Sequence, residues 1–90
     1  MAKELVFTHR FKKNYKNLPK SIQMRFDKKL PIFIRNPRHP SFNIHKYRSP
    51  DDDVWEAYIT DKYRFTFEVT KDSIIFRNIG AHSIIDKGQV

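Results

Sequence analysis

The chain has 90 residues, a formal net charge of +8 and no cysteine. A chain of this length buries one small hydrophobic core, for which eight Phe, four Tyr and one Trp supply aromatic bulk. The lack of cysteine excludes disulfides, a thiolate nucleophile and Cys-based zinc sites. We therefore expect a single domain that spans residues 1–90.

The hydropathy of the sequence argues against a membrane protein. No segment approaches the roughly 20 apolar residues that a membrane-spanning helix needs. Residues 1–5, Met-Ala-Lys-Glu-Leu, lack the apolar stretch of a signal peptide. We expect a soluble, cytoplasmic protein with no membrane partner.

The positive charge is concentrated in the first half of the chain. Residues 1–48 contain thirteen Lys and Arg against two acids, whereas residues 49–90 contain five against eight acids. Such a polycation favours a polyanionic partner through phosphate contacts and counterion release, so RNA, DNA and the ribosome are candidates. An acidic protein partner, or a basic surface that serves only solubility, is the alternative.

The first predicted elements are a short strand and a helical hairpin. The run from Glu4 to Thr8 is β-prone, and Thr8 can cap a helix. That helix carries an apolar stripe and ends at Pro19, and a second helix restarts near Ser21. Pro31 lies within the second stripe, where it removes a backbone donor, so we expect a bend there. The stripes consist of Phe11, Tyr15 and Leu18 in the first helix and of Ile22, Phe26, Leu30, Phe33 and Ile34 in the second.

The second half of the chain predicts a sheet. Two prolines mark residues 36–41 as a loop, after which the apolar period changes from about four to two. Because the connections between strands are short, we expect an antiparallel meander with helices on its apolar face. The predicted fold class is α+β, with an N-terminal strand and a two-helix hairpin packed on a small antiparallel sheet. The predicted strands of the meander are Asn43–Arg48, Val54–Thr60, Tyr63–Thr70 and Ser73–Ile79.

Several types of site are excluded or made improbable by composition. The two glycines, Gly80 and Gly88, form no phosphate-binding loop. The four His lack the spacing of a zinc site, and residues 51–53, three Asp in a row, are typical of a solvated turn. We therefore expect no metal ion and no cofactor.

A set of cationic and imidazole side chains remains in the predicted sheet. Metal-independent RNA cleavage needs a base for the 2′-OH, an acid for the departing 5′-oxygen and cations for the charge on the phosphate. Histidine can fill either proton-transfer role, and the fork of Arg can bind two phosphate oxygens. The structural alternatives are a partly buried strand histidine at His45 and an ion pair of Arg64 with Glu56 or Glu68. The set comprises His45, Lys46, Arg48, Arg64, Arg77 and His82.

The order of several short motifs resembles the RelE/ParE superfamily of toxin–antitoxin toxins over essentially the whole chain. The resemblance implies a β-α-α-β-β-β toxin, closest to the RelE/YafQ-like mRNA interferases, that a protein antitoxin neutralises. It also implies metal-independent, ribosome-dependent cleavage of mRNA, which inhibits translation and leaves a 2′,3′-cyclic phosphate. The motifs are Phe7, the hairpin residues Phe11, Tyr15, Leu18 and Pro19, the stretch Asn-Pro-x-His-Pro-Ser before His45-Lys46-Tyr47, Trp55 before Tyr63-Arg64-Phe65, and the ending Asn78-Ile79-Gly80-Ala81-His82.

The same resemblance implies roles for individual residues. His45 corresponds to a catalytic histidine and is the expected general base, and Arg64 corresponds to an arginine that contacts the scissile phosphate. His82 is the expected general acid or phosphate stabiliser, although the two histidines could exchange the acid and base roles. Lys46 is expected to stabilise charge beside His45. Tyr58 and Asp61 fall near lesser active-site positions, and Tyr58 stands where relatives carry a histidine, while Ser83 and Asp86 stand where relatives often carry an aromatic residue.

Two other functions remain open from the sequence. One is a non-enzymatic, ParE-like poison of DNA gyrase, in which the histidines and Arg64 are incidental. The other is a degenerate relative that has kept only antitoxin binding. For the leading hypothesis, the side chains expected to bind RNA are Lys12, Lys13, Lys28, Lys29, Arg48 and Arg77.

Overall fold

The computed structural model describes residues 3–46 and 53–86 as an N-terminal strand, a helical hairpin, four further strands and a short C-terminal helix. This arrangement confirms the predicted α+β class and the order of its elements. The elements are β1 (Glu4–Phe7), α1 (His9–Lys16), α2 (Lys20–Arg35), a 3-10 turn (Pro40–Phe42), β2 (His45–Lys46), β3 (Trp55–Tyr58), β4 (Tyr63–Val69), β5 (Ser73–Ala81) and α3 (His82–Asp86).

The five strands form one mixed sheet in the order β1-β5-β4-β3-β2. The strands β2 to β5 pair antiparallel in succession, as the short connections predicted. The N-terminal strand instead pairs parallel to β5, with Glu4 opposite Ser73 and Phe7 opposite Phe76. The sheet is therefore mixed and not antiparallel throughout. The two parallel strands, β1 and β5, are separated along the chain by the helical hairpin and the other three strands.

The strand β2 is shorter than the predicted Asn43–Arg48. Asn43 adopts the left-handed region, with φ 44°, and closes the 3-10 turn, so the extended backbone begins only after it. Residues 47–52, which include the end of that predicted strand and two of the three consecutive Asp, lie outside the described residues. By contrast, β5 runs to Ala81, beyond its predicted end at Ile79.

The helical hairpin forms as the sequence predicted and covers one face of the sheet. Thr8 caps α1, since its Oγ1 accepts a hydrogen bond from the backbone N of Phe11 at 3.2 Å. The buried residues of α2 pack edge-on against the sheet: the ring centroid of Phe33 lies 5.2 Å from that of Phe65 and 4.9 Å from that of Phe67. The buried core contains Phe11, Ile22, Phe26, Phe33, Phe42, Ala57, Ile59, Phe65, Phe67, Ile74, Phe76 and Ile79.

The helix α2 continues through Pro31 without interruption from Lys20 to Arg35. Pro31 cannot donate the hydrogen bond that the carbonyl of Asp27 would otherwise accept. Two residues further on, Phe33 is 1% exposed and sits in the centre of the aromatic core. The helix α2 buries its apolar face on both sides of Pro31, and the free energy of this burial offsets the missing hydrogen bond.

The helix α3, which the sequence did not predict, contacts β4 and β5. Ile85 is fully buried. A Cβ atom built on Gly80 would lie 3.9 Å from Cδ1 of Ile84, so α3 approaches the end of β5 closely. Within residues 3–46 and 53–86, no helix is both long and apolar enough to cross a membrane.

Candidate active site

Polar side chains of β3 and β4 gather on the face of the sheet that the hairpin leaves uncovered. Ala57 lies opposite Phe65 in the antiparallel register, and both are buried in the core beneath the helices. Because side chains alternate along a strand, Glu56, Tyr58 and Arg64 point to the other face. This division follows the alternation of apolar and polar residues along β4.

The carboxylate of Glu56 joins His45 of β2 to Arg64 of β4. Its Oε1 lies 2.7 Å from Nε2 of His45, and its Oε2 accepts a hydrogen bond from Nη1 of Arg64 at 3.3 Å. Glu56 is 3% exposed and Arg64 is 17% exposed, whereas His45 is 47% exposed. The buried carboxylate is thus stabilised by two partners, and the imidazole is the most exposed part of the cluster.

Arg64 is held by further contacts on the same face. Its Cζ lies 4.0 Å from the ring centroid of Tyr58, and its Nη2 donates to the backbone oxygen of Asp61 at 3.4 Å. The ring of Tyr58 also meets the His45 imidazole edge-on, with centroids 6.0 Å apart. His45, Glu56, Tyr58 and Arg64 form one cluster, which we call the His45 cluster.

The contacts of His45 fix the tautomer and the orientation of its ring. Its Nδ1 lies 2.9 Å from the backbone oxygen of Asn43, which can only accept, so Nδ1 carries a proton. Nε2 faces Oε1 of Glu56 at 2.7 Å, so it can act on a 2′-OH only when it has turned away from that carboxylate.

The structure places Lys46 away from His45, although they are neighbours in sequence. Lys46 lies opposite Trp55 in the register, whereas His45 lies opposite Glu56, so the two side chains point to different faces of the sheet. The ammonium of Lys46 lies 3.2 Å from Oδ1 of Asp53, and both groups are exposed. Lys46 therefore contributes no contact to the His45 cluster.

His82 lies at the same end of the sheet as Arg64. It opens α3 two residues after Gly80, which is the β5 residue opposite Arg64. Its backbone N donates to the oxygen of Lys62, in the turn before β4, at 2.7 Å. His82 is exposed, and its backbone lies beside the end of β4 that carries Arg64.

Arg77 is separate from the cluster. It is the extra residue of a β-bulge in β5, where Thr66 pairs with Asn78 but Phe67 pairs with Phe76. Its guanidinium lies 3.3 Å from Oε2 of Glu68, towards the other end of β4. Glu68, one of the two acids considered as a partner for Arg64, therefore pairs with Arg77, and Arg64 pairs with Glu56.

The basic residues of the hairpin lie in the helical layer, across the sheet from the His45 cluster. Burial, and to a lesser extent the positive charge of Arg25, lower the pKa of Lys29. The ammonium of Lys29 lies 5.3 Å from the ring centroid of Phe42. The structure thus separates the basic helical surface from the candidate catalytic groups, and Arg48 lies outside the described residues. Of the hairpin lysines expected to bind RNA, Lys12, Lys13 and Lys28 are exposed.

The sequence did not identify Glu56 as a site residue, except as one possible ion-pair partner of Arg64. A single acid within an apolar strand was the available signal, because such an acid needs partners when it is buried. The register between β2 and β3 could not be read across the long connection, so the contact with His45 was hidden. Within residues 3–46 and 53–86, no group of three or more His, Cys, Asp or Glu could hold a metal ion.

Comparison with known proteins gives matches in structure only. No protein-family model and no curated protein matches the sequence. A chain of the Escherichia coli DinJ–YafQ toxin–antitoxin complex superposes with a TM-score of 0.81 at 12% identity, over 94% of this chain and 98% of that one. The Staphylococcus aureus YoeB dimer gives 0.75 at 16% identity, over 91% and 99%. The archaeal RelE–RelB complex from Pyrococcus horikoshii gives 0.71 at 22% identity, over 90% and 96%. The chain has the fold of the RelE and YafQ toxins.

Proposed function

We propose that this chain is the toxin of a toxin–antitoxin pair and that it cleaves mRNA on the ribosome without a metal ion. The observation that carries the proposal is the His45 cluster, in which a half-exposed imidazole and a guanidinium that lies over the Tyr58 ring meet on the face of the sheet opposite the hairpin. The shared fold with toxins seen in toxin–antitoxin complexes supports the same assignment.

The reaction is an intramolecular transesterification of RNA. The 2′-oxygen attacks the adjacent phosphorus, its proton passes to His45, and the bond from phosphorus to the 5′-oxygen breaks. His82 donates a proton to the departing 5′-oxygen, and Arg64 stabilises the negative charge on the phosphate oxygens. The products are a 2′,3′-cyclic phosphate and a 5′-hydroxyl end.

The basic hairpin supplies a second surface for nucleic acid. Lys12, Lys13 and Lys28 lie across the sheet from the His45 cluster, so they cannot act on the same phosphate as Arg64. We assign them to the flanking phosphates of a large RNA, such as the ribosome, because phosphate contacts raise affinity without selecting sequence.

We place the proposed antitoxin partner on a groove of the hairpin. A groove of about 420 Å³ lies between α1, α2 and β1, and its walls are mainly apolar. Lys12 and Lys16 lie at the groove, so an apolar segment with acidic flanks is complementary to it. Lys16→Glu, which reverses an exposed charge at the groove, should weaken neutralisation by co-expressed antitoxin and retain toxicity, whereas Lys20→Glu, an exposed lysine outside the groove lining, should leave neutralisation intact. Full neutralisation of Lys16→Glu would place the antitoxin elsewhere.

The primary test is induced expression without antitoxin, followed by mapping of mRNA 5′ ends by primer extension. The parent chain should give cuts in phase with codons, and a His45→Ala/His82→Ala double variant should give none. Growth arrest with intact mRNA and damaged DNA would instead indicate a gyrase poison. Absence of arrest would indicate a protein that only binds its antitoxin.

A matched pair of arginine variants separates catalysis from sheet stability. Arg64 and Arg77 are both sheet residues, and each lies 3.3 Å from a glutamate carboxylate. Arg64→Ala should abolish cleavage, because it removes the group assigned to the phosphate. Arg77→Ala should keep the cleavage rate at saturating RNA within a few-fold of the parent, because Arg77 pairs with Glu68 and has no assigned role in the chemical step. Equal loss in both variants would attribute the effect to folding.

A further inference from the structure

A further pocket lies at the edge of the sheet that β2 forms, outside the His45 cluster. It has a volume of about 440 Å³ and is lined by Arg38, His39, Pro40, Asn43, Ile44 and Trp55. We propose that this pocket binds one nucleotide of the RNA substrate, with the base against Trp55 and the phosphate on Arg38 and His39. The inference deepens the proposed ribonuclease function and rests on it, because it names where a nucleotide beside the cleaved bond is held.

The pocket is rich in hydrogen-bond donors. Nδ1 of His39 accepts from the backbone N of Ser41 at 3.2 Å, so the neutral ring carries its proton on Nε2. Within residues 3–46 and 53–86, Nε2 of His39, the guanidinium of Arg38 and the indole N–H of Trp55 form no hydrogen bond or ion pair. Among the described residues that line the pocket there is no acid. The pocket therefore favours a ligand with negative charge and many acceptors, such as a phosphate.

Trp55 and Asn43 suit the base of a nucleotide. Trp55 is partly buried against the core and lies at the pocket, and unstacked RNA bases pack on aromatic side chains of this kind. The backbone of Asn43 is held in the left-handed region, with φ 44°, and its N–H donates to the oxygen of Pro40 at 3.2 Å. The side-chain amide of Asn43 has no partner among the described residues, and it offers both a donor and an acceptor to the edge of a base.

The strand β2 connects the pocket to the His45 cluster. Ile44 lines the pocket, and the next residue is His45, whose Nδ1 lies 2.9 Å from the backbone oxygen of Asn43. On β3, Trp55 lies at the pocket, and the next residue, Glu56, lies opposite His45. Because neighbouring residues of a strand point to opposite faces, the pocket and the cluster lie on the two faces of one sheet edge. An RNA with a phosphate at His45 can therefore pass around β2, the last strand of the described sheet, and place a flanking nucleotide in the pocket.

Trp55 is the only tryptophan of the chain, so tryptophan fluorescence reports on this pocket without any substitution. A fully 2′-O-methylated RNA oligonucleotide, which cannot be cleaved, should quench this fluorescence to saturation, because a base stacks on the ring. An oligomer of the same length that has the phosphates but no bases should bind about fivefold more weakly or worse and cause little quenching. RNA that fails to bind, or that binds without quenching, would overturn the inference. Equal quenching by the oligomer without bases would refute the contact between the base and Trp55.

Arg38→Ala and Arg35→Ala form a matched pair for the phosphate contact. Both arginines are exposed near the end of α2, but only Arg38 lines the pocket. Arg38→Ala should weaken binding of the methylated RNA by about fivefold or more, whereas Arg35→Ala should weaken it by less than about twofold. Equal weakening by the two variants would attribute the effect to overall charge and would remove Arg38 from the site.

The fluorescence measurement also separates this inference from the proposed function and from a protein ligand. Polyaspartate, an acidic peptide without aromatic groups, should leave the Trp55 signal unchanged, and quenching by it as strong as that by RNA would assign the pocket to an acidic protein partner. A chain whose Trp55 signal responds to methylated RNA but that never cuts mRNA would keep the nucleotide pocket and lose the ribonuclease assignment. A chain that cuts mRNA while RNA leaves the Trp55 signal unchanged would keep the ribonuclease assignment and lose the pocket.

Discussion

The guanidinium of Arg64 lies over the ring of Tyr58, with Cζ 4.0 Å from the ring centroid. The two residues are directly opposite each other in the register of β3 and β4. Contact with an aromatic ring restricts the guanidinium and leaves its N–H groups to donate to acceptors in the plane of the guanidinium itself. Tyr58 therefore serves as a platform for Arg64.

Replacement of Tyr58 tests this platform. Tyr58→Phe keeps the ring and should leave cleavage within about twofold of the parent. Tyr58→Leu removes the stacking, which contributes about 0.5–2 kcal/mol, and should slow cleavage by about tenfold. Single-turnover cleavage on ribosomes measures both variants. A Phe variant as slow as the Leu variant would assign a chemical role to the phenol hydroxyl.

The helical lysines should affect affinity and not the chemical step. Because Lys12, Lys13 and Lys28 lie across the sheet from Arg64, their Ala variants should weaken RNA binding at low salt. Each loss of one phosphate contact should reduce the slope of log affinity against log salt by about 0.7 for single-stranded RNA. The rate at saturating RNA should stay unchanged. Lys71→Ala, in the turn between β4 and β5, is the control and should leave the slope as it is.

Local patterns predicted the hairpin and the two faces of the sheet, because both depend on residues that are near in sequence. The stripe of Phe11 and Tyr15 and the cap at Thr8 are set within one helix. Apolar residues that alternate with Arg64 likewise set the faces of β4 without knowledge of other strands. These features could therefore be read before the tertiary arrangement was known.

Features that depend on distant contacts could not be predicted in this way. The parallel pairing of β1 with β5 joins the two ends of the chain, and no pattern in Glu4–Phe7 identifies its partner. The left-handed backbone of Asn43 shortens β2, which the alternation of side chains does not reveal. Glu56 was missed as a site residue because its partner His45 is brought beside it only by the register of β2 and β3.

Pro31 gives a stability prediction, because α2 continues through it although it cannot donate a helical hydrogen bond. Its position in the middle of α2 leaves the carbonyl of Asp27 without a helical donor. Pro31→Ala restores the hydrogen bond, although it also increases the freedom of the unfolded chain. We expect the free energy of unfolding to rise by about 2 kcal/mol in urea titrations. An unchanged or lower value would show that the proline bends α2 into a shape that the core requires.

A side-chain hydrogen bond between Asn14 and Asn78 joins α1 to β5. Nδ2 of Asn14 donates to Oδ1 of Asn78 at 2.6 Å, and Asn78 is fully buried. Asn14→Ala removes this donor and should lower the free energy of unfolding by about 1–2 kcal/mol. Lys13→Ala, on an exposed position of the same helix, should change it by less than about 0.5 kcal/mol. Equal effects of the two variants would show that the bond adds no net stability.

Tyr15 links the two helices and should make stability depend on pH in the alkaline range. Its hydroxyl donates to Oδ1 of Asp27 at 2.6 Å. Burial, the hydrogen bond to Asp27 and the negative charge of Asp27 raise the pKa of Tyr15 from 10.0 to about 12. The folded chain therefore keeps the phenol proton at a pH where the unfolded chain has lost it. The stabilisation is fully present below pH 10 and is lost as the pH rises from 10 to about 12.

Tyr15→Phe isolates this contribution. The variant should be less stable than the parent by about 1 kcal/mol at neutral pH, because one hydrogen bond is lost. The difference between the two proteins should shrink as the pH rises from 10 towards 12, since only the parent has the proton to lose. Asp27→Asn should lower the pKa of Tyr15, measured by phenolate absorbance, but leave it above 10 because burial is the largest cause. A stability difference that does not change over this pH range would show that Tyr15 titrates alike in the folded and unfolded chains.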